Sequence, residues 1–155
     1  MSLTQEFRDA IRTEDLHAAM RLLNRQVPYR FSAVFRFEKD ILRNICLIDK
    51  YDRDVTRCED QPICDSYCIY IHRSGERFTV EESTTDSRVD GHPKCRSYQS
   101  YYGVPLFSAA GHLWGTACHF DTLPVRVTDE IVSMLDDVAP LIASAAEQED
   151  ALGKL

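Results

Sequence analysis

The chain has 155 residues, 44% of them hydrophobic and 28% charged, with a formal net charge of −7. These values indicate one globular domain with a single core and exclude a disordered chain. The negative balance and the scattered arginines predict no nucleic-acid partner, because neutralising phosphates requires a basic face. The sequence contains no apolar run long enough to span a membrane and no apolar N-terminal signal segment, so we expect no membrane partner and a cytoplasmic location.

The first third of the chain predicts a helical segment followed by two strands. Apolar residues at helical spacing over Thr4–Asn24 predict an N-terminal helix within residues 1–24, with a break and a new N-cap at residues 13–15. Aromatic and polar residues alternate over Tyr29–Glu38, which predicts a strand with one aromatic face, and Ile41–Tyr51 predicts a second strand. Residues 52–62 are polar and are predicted to form a loop.

The middle of the chain predicts little regular structure. Cys64–Arg73 has the pattern of a short helix that ends at Gly75, and Arg77–Ser83 predicts a third strand. Residues 84–99 contain Gly91 and Pro93 and are predicted to be irregular. Long ordered connections of this kind are often functional, so this segment is expected to cover a site.

The C-terminal third predicts a hairpin that leads into a helix. Residues alternate over Ser100–Leu106 and over His112–Phe120, and the small residues 108–111 between these arms suit a short turn. Thr128 is the predicted N-cap of a long apolar helix. Pro140 removes one helical hydrogen bond, so we predict a kink there and a C-terminal half that leaves the domain as a connector.

The six cysteines are predicted to be reduced thiols, and Cys46 and Cys118 to be small core residues of strands. Cys64, Cys68 and His72 share one stripe of the predicted short helix, a pattern that could also supply three metal ligands. A second Cys-x2-Cys pair is missing and a core face explains the same spacing. We therefore predict no metal site and no cofactor.

Several short motifs occur in an order that resembles the GAF family, the small-molecule sensor domains related to PAS domains. The resemblance covers residues 25–146 and depends on Asp65-Ser66-Tyr67-Cys68, Val80-Glu81-Glu82-Ser83, Asp86-Ser87-Arg88, His92-Pro93, Ser100–Leu106 and Gly115–Asp121. It implies an α+β, GAF-like fold: a central six-stranded antiparallel sheet with helices on both faces. Residues 147–155 would then be a helical extension or connector.

The resemblance also implies a function, namely a non-catalytic sensor of a small molecule or of redox state. We expect its ligand to lie between the sheet and residues 64–99. The residues expected to contact the ligand supply aromatic area and a few polar groups: Tyr67, Cys68, Tyr70, His92, Cys95, Tyr101 and Tyr102. The terminal helices are expected to form a homodimer and to signal to an output domain, such as a kinase or cyclase domain in another chain.

Two alternatives remain open at this stage. The chain is also similar to the free methionine-(R)-sulfoxide reductases, a branch of this family in which Cys95 would act together with Cys58 and Cys68. Lys94 and Arg96 flank Cys95 and favour its thiolate, but aromatic residues stand where that branch has acidic ones. The second alternative is a structural dimerisation module with no ligand. Bilin attachment at Cys118 is not expected, because this cysteine follows the Val-x-Pro-Leu strand instead of preceding it.

Overall fold

A computed structural model describes residues 2–153 of the chain. Within this range the elements, in chain order, are α1 (Leu3–Thr13), α2 (Leu16–Asn24), β1 (Phe31–Glu38), β2 (Ile41–Asp49), β3 (Gln61–Pro62), α3 (Cys68–Ser74), β4 (Phe78–Val80), β5 (Ser100–Phe107), β6 (Leu113–Asp121) and α4 (Asp129–Ala151). Short 3-10 turns cover Ile63–Asp65, Ser83–Thr85 and Ser87–Val89.

The strands form one six-stranded antiparallel sheet in the order β3-β2-β1-β6-β5-β4, which confirms the predicted architecture. Gly111 turns the hairpin between β5 and β6 with a φ of 85°, a value that glycine adopts without steric cost. Two predictions about the strands need correction. The loop prediction for residues 52–62 missed β3, a two-residue edge strand, and the strand predicted over residues 77–83 is limited to β4.

Helices α1, α2 and α4 pack on one face of the sheet and form the larger apolar core with it. The predicted interruption between α1 and α2 is confirmed, and Asp15 caps α2 by accepting a hydrogen bond of 2.8 Å from the backbone N–H of Ala18. Thr128 caps α4 as predicted. No helix within residues 2–153 is both long enough and apolar enough to cross a membrane.

The C-terminal half of α4 does not leave the domain, contrary to the prediction based on Pro140. The helix is continuous through Pro140, and its last turns are held by contacts that the sequence pattern does not reveal. Asp150 forms ion pairs with Arg36 and with Arg43, the latter at 2.6 Å. Glu149 accepts a hydrogen bond of 3.1 Å from the backbone N–H at the start of α2. Residues 154 and 155, the end of the predicted connector, lie outside the described range.

Helix α3 and the segment between β4 and β5 pack on the other face of the sheet and enclose a second apolar core. The single helix predicted over residues 64–73 is divided: Ile63–Asp65 is a 3-10 turn, and α3 starts only at Cys68. Helices therefore cover both faces, as predicted, and the irregular segment lies over the face opposite the terminal helices.

A buried polar chain joins α2 to the sheet on the face of the terminal helices. Asn24 donates to the Ser32 hydroxyl at 2.7 Å, and Ser32 Oγ lies 2.6 Å from His119 Nδ1. Because the Ser32 oxygen already accepts from Asn24, its hydrogen is free for a neutral His119. Burial, together with the charge of Lys50, lowers the pKa of His119 to about 3, so the ring is neutral at physiological pH.

Candidate functional site

A cavity of about 290 Å³ lies between the sheet and the segment that covers it. Its size is close to the lower limit for a small-molecule site. The lining residues come from the strands, from the loop before β3, from the start of α3 and from the connection before β5: Phe31, Phe35, Leu47, Cys58, Glu59, Asp60, Gln61, Ser66, Tyr67, Lys94, Tyr98, Tyr101, Cys118 and Phe120.

The floor of the cavity consists of alternate residues of adjacent strands, because successive side chains of a strand point to opposite faces. Phe31 of β1 pairs directly with Phe120 of β6, and their rings stack with centroids 5.1 Å apart. Phe35 and Cys118 follow at positions of the same parity on these two strands. The aromatic alternation predicted for β1 therefore becomes an aromatic floor.

Tyr98 and Tyr67 form the walls that stand on this floor. The Tyr98 ring meets Phe120 edge to face at 4.9 Å and Phe31 at 6.0 Å between centroids. The Tyr67 hydroxyl donates a hydrogen bond of 2.9 Å to the carbonyl oxygen of Tyr98, which links the start of α3 to the covering segment. Burial raises the pKa of Tyr67 to about 12, so this hydroxyl remains protonated at neutral pH.

Tyr101 closes the cavity on the β5 side, and the glycine two positions later makes room for its ring. A Cβ atom at Gly103 would lie 2.3 Å from the Tyr101 hydroxyl and 2.6 Å from its ring carbons. The ring therefore occupies the space that a side chain at position 103 would fill. Its centroid is 5.5 Å from that of Tyr67, in an edge-to-face arrangement.

Cys68, the first residue of α3, is a buried thiol beneath the cavity wall. Its Sγ is 3.2 Å from the Tyr101 hydroxyl and 3.2 Å from Thr116 Oγ1. Burial alone would raise the pKa of this thiol, but hydrogen bonds from Cys118, Ser66, Thr116 and Tyr101 outweigh burial and lower it to about 7. Cys118 differs, since burial raises the pKa of its thiol well above the usual range. Both are core residues, as predicted for Cys118.

Cys58 reaches the cavity from the loop before β3. Its backbone N–H donates to Asn44 Oδ1 at 3.0 Å, which fixes this part of the loop against β2. Burial raises the pKa of the Cys58 thiol to about 11, so it is a neutral thiol at physiological pH. Of the three cysteines expected for a reductase, Cys58 alone is among the cavity-lining residues.

His92, Cys95 and Tyr70 lie in the covering layer, outside the residues that line the cavity. His92 Nδ1 accepts from the backbone N–H of Lys94 at 3.0 Å, so its Nε2 carries the hydrogen and donates to the Ser66 carbonyl at 3.1 Å. The carbonyl of Cys95 accepts from a serine hydroxyl, and the Tyr70 ring stacks on Phe78 at 4.4 Å. These three residues hold the covering segment in place.

Tyr102 does not line the cavity, although the sequence analysis placed it there. It follows Tyr101 in β5 and therefore points to the opposite face, into the core beneath the terminal helices. Only one member of the Tyr101-Tyr102 pair can face the cavity. Cys68, the last of the predicted ligand contacts, does not line the cavity either and contacts the Tyr101 hydroxyl from behind the wall.

The stripe of Cys64, Cys68 and His72 is not formed. Cys64 lies in the 3-10 turn and is exposed, whereas Cys68 is buried, and the His72 ring packs against Phe37 with centroids 4.7 Å apart. No group of three or more His, Cys, Asp or Glu side chains within residues 2–153 is arranged to hold a metal ion.

Of the residues that line the cavity, the sequence analysis predicted Tyr67 and Tyr101 as ligand contacts and missed the floor residues Phe31, Phe35 and Phe120. It also missed Tyr98 and the charged residues at the mouth, Glu59, Asp60 and Lys94. Asp60 Oδ1 accepts a hydrogen bond of 2.9 Å from the backbone N–H of Asn44, so this carboxylate is fixed in position. These residues belong to segments without periodicity, where a pattern gives no direction for a side chain. The one sequence signal that could have identified Tyr98 as a site residue is the occurrence of an aromatic residue in an otherwise polar connection.

Comparison of the sequence with family models and with curated proteins finds no match. Comparison of the structure finds many similar solved chains. A GAF domain from an Acinetobacter phosphoenolpyruvate-protein phosphotransferase matches with a TM-score of 0.73 and 12% identity over 100% of both chains. A type II free methionine-R-sulfoxide reductase from Thermoplasma acidophilum matches with a TM-score of 0.67 and 17% identity, over 95% of this chain and 96% of that one.

A third solved structure, the phycocyanobilin-bound GAF domain of a cyanobacterial phytochrome, matches with a TM-score of 0.73 and 13% identity, over 96% of this chain and 94% of that one. The three similar structures therefore include a domain with a bound chromophore and an enzyme. The TM-scores establish a common architecture, but identities this low do not indicate which ligand this chain binds. The ligand has to be inferred from the residues of this chain. The sheet order, the helices on both faces and these matches together show that the chain has the GAF fold.

Proposed function

We propose that this chain is a sensor domain that binds a small molecule in the cavity between the sheet and residues 58–98. The observation that carries the proposal is the cavity itself: about 290 Å³, walled by aromatic rings, with a few fixed polar groups at its mouth. Small-molecule sites are typically concave, mostly apolar and largely preformed, with a few placed polar groups. The phytochrome domain with its bound phycocyanobilin supports the same use of this fold.

We propose that occupancy is transmitted through β6 to the terminal helices. Cys118 and Phe120 line the cavity, whereas His119 between them points to the other face and joins Ser32 and Asn24 of α2. A shift of β6 would therefore move a hydrogen-bonded chain that ends in a helix. In the proposal the terminal helices form a homodimer and pass this change to an output domain, such as a kinase or cyclase domain in another chain.

A thermal-shift screen of a metabolite library tests the proposal, since a ligand that binds only the folded state stabilises it by about 2.7 kcal/mol at one hundred times its Kd. Leu47→Phe adds a ring inside the cavity, and Leu123→Phe makes the same change at an exposed position, so the pair separates cavity filling from added apolar area. The proposal predicts compounds that stabilise the wild type and Leu123→Phe but not Leu47→Phe. Stabilisation of all three alike, or of none, contradicts it. Light scattering measures the oligomeric state independently.

The second candidate function is thiol-dependent reduction of a methionine sulfoxide, favoured by Cys58 in the cavity wall and by the similarity to the Thermoplasma reductase. Two thiols would become a disulfide while the sulfoxide becomes a sulfide and water. NADPH-coupled turnover with thioredoxin and free methionine-(R)-sulfoxide tests it. Loss of turnover in Cys95→Ser and Cys58→Ser, but not in the exposed control Cys64→Ser, supports the enzyme; a folded wild type without turnover excludes it.

A further inference from the structure

Aromatic rings dominate the wall of the cavity. Six of its lining residues are Phe31, Phe35, Tyr67, Tyr98, Tyr101 and Phe120. The face of an aromatic ring carries partial negative charge, and several such faces around one space attract a cation that is itself apolar on its surface. Burial raises the pKa of Tyr67, Tyr98 and Tyr101, so these phenols are neutral and the aromatic wall attracts a cation through its ring faces alone.

The charged groups around the cavity add a negative balance. The charged residues at the mouth are two carboxylates, Glu59 and Asp60, and one ammonium group, Lys94. Asp60 is held in place by a hydrogen bond from the backbone N–H of Asn44. Arg30 lies over the Phe31 ring at 4.7 Å, but Asp49 neutralises it through two contacts of 2.9 and 3.0 Å. One negative charge is therefore in excess near the entrance. The whole chain, with a net charge of −7, favours the approach of cations in the same way.

We propose that the ligand is a small organic cation of the alkylated ammonium class. The inference rests on the proposed function, since it assigns a chemical class to the ligand of the same cavity. An alkylated ammonium loses little hydration on entering an apolar space, because its methyl groups shield the charge, and the ring faces then replace the water around it. A compact anion would find the single Lys94 at the mouth, with two carboxylates beside it.

The test compares choline with 3,3-dimethylbutanol, which has the same shape without the charge, by isothermal titration of the full chain. We expect choline to bind with an affinity at least roughly tenfold higher than that of the neutral alcohol, the size of a desolvated cation–π contribution. Equal or stronger binding of the alcohol overturns the assignment of a cation but leaves a binding cavity. Binding of neither probe also overturns the assignment, and the library screen then decides the proposed function separately.

Two matched pairs of variants localise the effect. Tyr98→Leu removes one ring of the wall, and Phe107→Leu removes an exposed ring that does not line the cavity. We expect choline to bind roughly 3- to 30-fold more weakly to Tyr98→Leu and normally to Phe107→Leu. Asp60→Asn keeps the Oδ1 acceptor for the Asn44 backbone and removes the negative charge at the mouth. Asp54→Asn is the control, because it removes one negative charge from an exposed turn. Choline affinity that falls in Asp60→Asn but not in Asp54→Asn supports the proposal; unchanged affinity in both Tyr98→Leu and Asp60→Asn overturns it.

Discussion

Lowering the pH should destabilise this domain through His119, and the structure gives the size of the effect. Burial, together with the charge of Lys50, lowers the pKa of His119 to about 3 in the folded protein, against about 6.5 in the unfolded chain. A base whose pKa is depressed by folding leaves stability unchanged above the unfolded value and reduces it as the pH falls below that value. The loss is about 1.4 kcal/mol per pH unit and about 2 kcal/mol between about pH 7.5 and about pH 5.

Urea unfolding of the wild type, His119→Gln and His112→Asn at several pH values measures how much unfolding free energy is lost through His119 as the pH falls. Glutamine at position 119 stays neutral and can still accept from Ser32, and His112 is exposed, so His112→Asn is the control. The free energy of unfolding of His119→Gln should lose about 2 kcal/mol less than that of the other two over this range. The lowered pKa values of half-buried His17 and buried His92 act in the same direction in all three proteins and cancel from the comparison. Equal pH dependence in all three proteins would refute the reasoning.

Two further predictions concern close packing and the end of α4. Gly103→Ala should force the Tyr101 ring from its place and lower the free energy of unfolding by about 1–3 kcal/mol. In a Tyr101→Ala background the same change should leave the free energy of unfolding unaltered, which a double-mutant cycle measured by urea unfolding tests. Additive effects of the two substitutions would contradict this prediction. Asp150→Asn should lower the melting temperature, because Arg36 and Arg43 then lose a half-buried carboxylate partner. Added salt should reduce the difference in melting temperature between the variant and the wild type. A difference in melting temperature that grows with salt would contradict the ion-pair explanation.

The sequence could predict the elements that have a clear period, and the structure confirms them. Alternation predicted the aromatic face of β1, although not that this face lines the cavity, and the break at residues 13–15 located the junction of α1 and α2. Tyr101 and Tyr102 show the limit of the method, since alternation says that they face opposite sides and does not say which side holds the cavity.

The remaining errors come from contacts between distant segments. Pro140 has the local preference to end a helix, but Asp150 holds the last turns of α4 to β1 and β2, Glu149 holds them to α2, and this tertiary packing prevails. The sequence predicted that Cys95 contacts the ligand, but the fold places it in the covering layer and brings the thiol of Cys68 close to two hydroxyls. Reactivity of a thiol depends on such neighbours in space, which spacing along the chain does not reveal.

In the proposed mechanism, binding of a molecule in the cavity changes the packing of the helices on the other face of the sheet. Amide chemical shifts of the isotope-labelled domain, recorded with and without the leading compound of the thermal-shift screen, test it most directly. The account predicts changes at Cys118 and Phe120 on the cavity side and also at Asn24 of α2, with the α2 changes lost in Ser32→Ala. Changes confined to the residues that line the cavity, or a response of α2 that survives Ser32→Ala, would contradict it.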